Sequence, residues 1–416
     1  MNGPVHSRVL QLPLRSTHLI REGNGERRAD SKEQHRLNFA KLLNHVKRLP
    51  SYKTESVEKM AHWAVIDARK GNPWVGLGLA YVAHQRAVEN GQVRGMMLAL
   101  NACAMCHAMR HDEMTAIAAA VDAFDLAHRL GDESGLGHAL TTIVGGTTSA
   151  EMFPDAADVL NDIIHRALAA SDLDLEIRAR VGRCIVLGDQ RSFKLAEAEL
   201  AMTLRLQRMY APDRFSVARL LLNHANLHRK RLAQLAQYAT STVLQTAASE
   251  ARAVCVDAMA HAVREDNRPV EILGAMILGF LYRITGDFDS AIQVLTDAIP
   301  RARLHYLQGQ LPDILSELAE VHRAAGNTPQ YVATLEAALV EAEGKRPTRR
   351  LESLCRKLAA QAHCESDAAR EAVFTARAIN EAREFAHIQA HAQRSIDALK
   401  RRIPARDSSY SPLAMQ

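Results

Sequence analysis

From Ser31 to Lys400, apolar residues recur three and four positions apart in segments of roughly 15 to 20 residues, separated by short Gly, Asp, Asn or Pro turns. Each segment therefore has one apolar stripe and one wet face, as an amphipathic helix requires. The pattern predicts an all-α chain with a helix, turn, helix rhythm.

The stripes repeat at a fixed interval. Ile272–Arg303 is the clearest unit: Leu278, Gly279 and Tyr282 fall in its first helix, Gly286 at the turn, and Ala291, Leu295 and Ala298 in its second. Gly279 lets the second helix approach closely, Gly286 ends the first helix, and Ala291 and Ala298 make room for neighbours. Forty residues on stand Leu318, Ala319, His322, Gly326, Tyr331, Leu335 and Ala338; forty back stand Ala251, Cys255 and Ala258. Nearer the start, Ala116, Ala120 and Ala123 are followed at the same interval by Ala156, Leu160 and Ile163, then by Ala196, Leu200 and Thr203. The two runs are fifteen residues out of step, since Ala196 to Ala251 is 55. An irregular helix or insertion within Leu206 to Gln245 is therefore expected to part a front array from a rear one.

A period near forty exceeds the usual tetratricopeptide repeat of about 34 residues, so each helix must be longer by most of a turn. In this the chain resembles the long-repeat tetratricopeptide (TPR) arrays of bacterial regulators, including maltose-type transcription activators and the sensors that precede diguanylate cyclase domains. Ala127-His128-Arg129-Leu130-Gly131-Asp132 and Ile284-Thr285-Gly286-Asp287-Phe288 are typical phrases of such arrays. The resemblance covers roughly Asn90 to His391 and implies an α-solenoid of stacked antiparallel helix pairs, a TPR-like superhelix. The expected organisation is a flexible leader (1–30), a front helical array (31–205), a rear TPR array (206–365), a long C-terminal helix (366–402) and a disordered tail (403–416). In the sensors such a helix leads into an output domain. Here only a short Ser-rich tail follows Pro404, which points to a free-standing array or to an output carried by a partner. The long helix is a candidate surface for homodimerisation.

Composition sharpens this picture. At 416 residues the chain is too long for one compact core, so an elongated array or several domains are required. Apolar residues make up 47% but aromatics only 5%, and the dominance of Ala and Leu favours helix over sheet. A net charge of +5 is small for a dedicated nucleic-acid binder. Local basic clusters (Arg229-Lys230-Arg231, Lys345-Arg346 with Arg349-Arg350, and Lys400-Arg401-Arg402) read as helix-end charges that complement the helix dipole. Six cysteines within helical segments suggest reduced thiols and a cytoplasmic, bacterial protein, and no apolar run suits a signal peptide or a membrane span.

Enzyme templates are missing: there is no phosphate loop, His-Glu-x-x-His, Gly-x-Ser-x-Gly elbow, dinucleotide fingerprint or cyclase motif. No catalytic residue and no cofactor is therefore expected. Cys103-Ala104-Met105-Cys106-His107 has the spacing of c-type haem attachment, and Cys103, Cys106, His107 and His111 also share a helix as a metal site would need. In the repeat frame, however, Cys103 takes the slot of Leu278, Ala104 that of Gly279 and His107 that of Tyr282, so packing is the favoured reading.

Function is expected in the groove lined by the first helix of each pair. The TPR frame, carried over residue by residue, puts Leu98, Asn101, Met105 and Ala108 there, with His138 and Thr141, and with Arg178, Val181 and Ile185. The rear array adds Leu273, Met276, Phe280 and Arg283, then Asp313, Ser316, Glu320 and Arg323. Apolar anchors with a few Arg side chains suit a peptide or protein partner. The Asn and Lys pattern of the chaperone-binding clamp is absent. Exchanging Phe280 and Arg283 together is expected to abolish binding without unfolding the array. The alternatives are a metal- or haem-dependent sensor using the Cys103 to His111 helix, and a regulator acting on nucleic acid or on a signalling enzyme in trans.

Overall fold

The computed structural model describes residues 55–69, 73–110, 112–149, 151, 153–210, 216–305, 307–343 and 349–402. The expected leader and tail, His111 and the Lys345-Arg346 pair lie outside these residues. Among the described residues the regular structure is sixteen α-helices and one short 3-10 turn, without strands. They are α1 (Val57–Arg69), α2 (Pro73–Glu89), α3 (Val93–Met109), α4 (Glu113–Leu130), α5 (Glu133–Ser149), α6 (Phe153–Ala169), α7 (Leu173–Asp189) and α8 (Phe193–Tyr210). The second half comprises α9 (Val217–Leu235), α10 (Ser241–Arg264), α11 (Arg268–Ile284), α12 (Phe288–Leu304), α13 (Leu311–Ala324), α14 (Thr328–Ala342), α15 (Arg349–Cys364) and α16 (Ala368–Arg402). No described helix is long and apolar enough to cross a membrane.

Helices α2 to α8 start 20 residues apart, from residue 73 to residue 193. One type of turn sets this rhythm. After the helix a residue enters the left-handed region, and the next N–H reaches back to the helix: Asp132 to Ala127 O at 3.0 Å, Asp172 to Ala167 O at 2.8 Å, Asp287 to Tyr282 O at 3.0 Å. Gly131 (φ 65) and Gly286 (φ 81) hold this position without steric cost, but Ser171 (φ 53), Arg191 (φ 61) and Asp266 (φ 52) hold it too. Where an Asp follows, its side chain then caps the next helix. Asp172 accepts from Leu175 N at 3.0 Å and Asp287 from Ser290 N at 3.2 Å.

Packing turns the helix series into a superhelix. Each odd-numbered helix from α1 to α13 touches the next odd-numbered one as well as its chain neighbours, whereas even-numbered helices make no comparable contact with each other. The odd helices therefore lie on the inside of the curve. Close approach depends on small residues: a Cβ at Gly279 of α11 would lie 2.6–2.7 Å from three side-chain atoms of Leu295 in α12. Ala291 and Ala298 are buried beside it, and Leu278 and Tyr282 pack toward the same neighbours.

The fifteen-residue offset is made up by three longer steps, since α9, α10 and α11 start 24, 24 and 27 residues after their predecessors. Within that stretch α9 and α10 remain a tight pair, with Ala218, Leu222, Ala225 and Leu232 set against Ala248, Ala251, Cys255 and Ala258. The leanest joint between consecutive helices is α8 to α9. At the far end, α16 runs for 35 residues, packs on α15 and reaches α5. Arg349 lies 5.2 Å from the centre of the Phe385 ring and donates from Nε to Glu151 at 3.1 Å, so the end of the array touches its front half.

Candidate functional site: the concave face

In the front half the concave face is mostly neutral. Asn101 donates from Nδ2 to Gly135 O at 3.3 Å, tying α3 to α5, and its buried Oδ1 has no partner among the described residues. Met105 and His138 are half-buried. Thr141 turns its hydroxyl back to Gly137 O at 2.8 Å. Arg178 of α7 pairs with Asp174 of the same helix.

Behind α7 the face becomes an ordered set of charges. Lys230 of α9 meets Asp189 of α7 at 2.5 Å, and Arg283 of α11 meets Glu317 of α13 at 2.6 Å. Arg350 of α15 pairs with Asp313, and Lys357 reaches Glu320 at 2.7 Å. Each of these pairs joins one odd helix to the next, so the ladder fixes the curvature as well as the charge of the groove. Arg323 is largely exposed and pairs with Glu320 from the same helix at 2.8 Å. Met276 is half-buried between these charged positions. Beside the ladder, a hollow of about 430 Å³ on α15 is lined by Arg349, Glu352, Ser353, Arg356, Lys357 and Ala360. Both of its guanidiniums pair with Glu352.

Burial pushes the Glu317 carboxyl up, against the opposing pull of Arg283 and Arg229. For Glu320 burial also raises the pKa, but hydrogen bonds and charge from Lys357 and Arg323 outweigh it and the net shift is downward.

Two expectations need correction. Phe280 is not an exposed anchor: it is 6% exposed and belongs to the α9–α11 core. The guanidiniums of Arg229 and Arg283 cover its ring, at 5.6 and 5.1 Å from the centroid, so exchanging it removes core packing as well as any ligand contact. The Arg229-Lys230-Arg231 cluster is not a helix-end device either. It lies within α9, and its members diverge: Arg229 to Asn226 and Phe280, Lys230 to Asp189, and Arg231 to Glu197 at 3.2 Å.

One residue that the helix-end expectation kept out of the groove, Arg229, lies at its centre. Arg229 donates from Nε to Asn226 Oδ1 at 2.9 Å but has no ion-pair partner among the described residues. Arg219, nearer the start of α9, is open to solvent, and its guanidinium likewise has no described partner. Desolvation lowers the pKa of Arg229, against the opposing charges of Glu317, Asp313 and Asp189.

The Cys103 to His107 segment faces the interior. Cys103, Cys106 and His107 are buried; His107 Nδ1 lies 3.1 Å from Asp112 and its Nε2 lies 3.5 Å from the Tyr81 hydroxyl. Cys106 donates to Ala64 O at 3.7 Å, and burial raises its pKa to about 12 and pushes Cys103 well up. Neutral thiols are poor metal ligands. Among the described residues no group of three His, Cys, Asp or Glu side chains could hold a metal ion.

No family model and no curated protein matches the sequence. Solved structures do match in shape. A Rap protein complexed with Competence and Sporulation Factor aligns at TM-score 0.52 and 12% identity, over 80% of this chain and 99% of that one. The apo form of the quorum sensor NprR from B. thuringiensis aligns at TM-score 0.50 and 10% identity, over 84% of this chain and 94% of that one. The chain is a TPR-like helical repeat protein. At such low identity the likeness extends to the α-solenoid fold and no further.

Proposed function

We propose that this TPR-like protein is a non-catalytic regulatory scaffold that captures a peptide, or a peptide-like segment of a protein, in its concave groove. The observation that carries this reading is the continuous inner face of odd-numbered helices, each joined to the next by an ion pair. A preformed groove binds an extended segment without first paying to order itself. The shared fold supports the reading, because one neighbour is a quorum sensor and another was solved in complex with Competence and Sporulation Factor. Six free cysteines, five of them buried, fit a reducing compartment, and the proposal places the protein in the cytoplasm.

Photocrosslinking in the native cells tests the groove. A photoreactive amino acid replaces Ser316 on the concave face of α13 in one variant and the exposed Val256 on α10 in another. The proposal expects a defined peptide adduct from position 316 and none from 256. An adduct from 256 alone would place the partner on the convex side and overturn it.

A further inference from the structure

Helix α9 carries a second arrangement, outside the ion-pair ladder. His224 and His228 stand one turn apart in His224-Ala225-Asn226-Leu227-His228, with their Nε2 atoms 3.0 Å from each other and their ring centroids 4.6 Å apart. Both side chains are half-buried. Burial holds both rings below the ordinary histidine range. The charge of Glu197 from α8 pulls the other way on both, Glu250 of α10 does so on His228, and Arg231 adds to the lowering there. The rings are therefore neutral near neutral pH, as metal ligation requires.

One proton shared between two imidazoles accounts for the contact, but the same geometry is that of a chelate. Histidines four apart on a helix turn their nitrogens toward one ion. At metal–nitrogen distances of about 2.0–2.1 Å, two ligand nitrogens lie about 3.3–3.4 Å apart at a tetrahedral angle and about 2.8–3.0 Å apart at a right angle. The observed spacing matches the right angle, which suits the tetragonal geometry of Ni²⁺ or Cu²⁺ better than the tetrahedral geometry of Zn²⁺.

We propose that His224 and His228 form a two-histidine site for a divalent transition-metal ion, Ni²⁺ or Cu²⁺, bound through both Nε2 atoms. On binding, the ring that donated its Nε2 proton takes the Nδ1–H form, so the ion replaces the shared proton with no net release. No third His, Cys, Asp or Glu completes the set among the described residues, so water fills the remaining positions and the ion stays exchangeable. The Glu197 carboxylate, 3.2 Å from Arg231, adds nearby negative charge from α8. Ala225 stands where a helical zinc protease carries its glutamate base, so the site binds and does not hydrolyse. It is independent of the groove reading, since neither histidine belongs to the ladder.

The test uses the full, untagged chain, stripped with chelator and titrated with Ni²⁺ by calorimetry. His387 and His391 share the four-residue spacing on α16 and provide the internal control. The proposal expects a single tightest site, bound at least about tenfold more weakly by His224→Gln and by His228→Gln and unchanged in His387→Gln. Mapping of the wild type with diethylpyrocarbonate gives a second reading that does not depend on how the variants fold: Ni²⁺ should protect His224 and His228 together, and His387 less. Equal binding by all three variants, or protection spread evenly over the histidines, would mean adventitious surface binding and overturn the site, as would no binding at all. Tighter binding of Zn²⁺ than of Ni²⁺ would overturn the right-angle assignment of the metal.

Discussion

Gly279→Ala tests whether repeat geometry depends on close helix approach. In isolation the change should help, because Ala is about 1 kcal/mol better than Gly inside a helix. Here the new methyl would sit 2.6–2.7 Å from Cγ, Cδ1 and Cδ2 of Leu295, which is itself fully buried and has nowhere to retreat. Overpacking of a rigid core costs about 1–3 kcal/mol, and contact with three atoms of one buried residue puts this case near the upper end. The expected net destabilisation is therefore about 2 kcal/mol. Leu295→Ala alone should cost about 3 kcal/mol as a cavity. In that background the methyl has room, so adding Gly279→Ala should be neutral or stabilising by up to about 1 kcal/mol. Local stability of α11 and α12 is best read by native-state hydrogen exchange, because a repeat array need not unfold in one step. If Gly279→Ala costs the same in both backgrounds, close approach is not what the glycine provides.

Further predictions follow from the charges, the turns and the thiols. Removing Arg283 as Arg283→Ala leaves Glu317 without its 2.6 Å partner at a site 15% exposed, and should cost about 3 kcal/mol in the exchange protection of α13. Glu320, whose folded-state pKa is depressed, adds stability that is complete above its unfolded pKa and is lost as pH falls through the folded one. Glu320→Gln should therefore flatten the acid side of the stability profile below about pH 4.3, and an unchanged slope would contradict the pairing. Arg191→Gly relieves a left-handed non-glycine residue and should stabilise by about 0.5 kcal/mol in thermal melts, the strain relieved exceeding the backbone entropy lost. Native alkylation near pH 8 should label Cys364 alone, because Cys103, Cys106, Cys184, Cys255 and Cys355 are buried, and mass spectrometry of the unfolded protein should show all six labelled.

Much of the fold was legible because the repeat is enforced by sterics that the sequence must obey. Gly279, Ala291 and Ala298 mark places where only small residues fit, and Gly131 and Gly286 mark left-handed turns. The same turn at Ser171, Arg191 and Asp266 left no glycine to read, because the hydrogen bond back to the helix holds the conformation without one. The groove was legible only where the frame held. Arg283 and Glu320 could be placed by counting, but the three long steps around α9 and α10 broke the count, and with it any means of assigning Arg229 to the concave face. Phe280 was misread for another reason: a position that points into the groove can still be covered, and the two Arg side chains that cover it come from different helices.

Hydrogen exchange of the full chain, with and without a saturating amount of the peptide identified by crosslinking at position 316, tests the central claim most directly. Capture in the groove predicts added protection on the odd-numbered helices α7, α9, α11 and α13. Protection confined to the even-numbered helices α8, α10 and α12 would place the ligand on the convex side and contradict it.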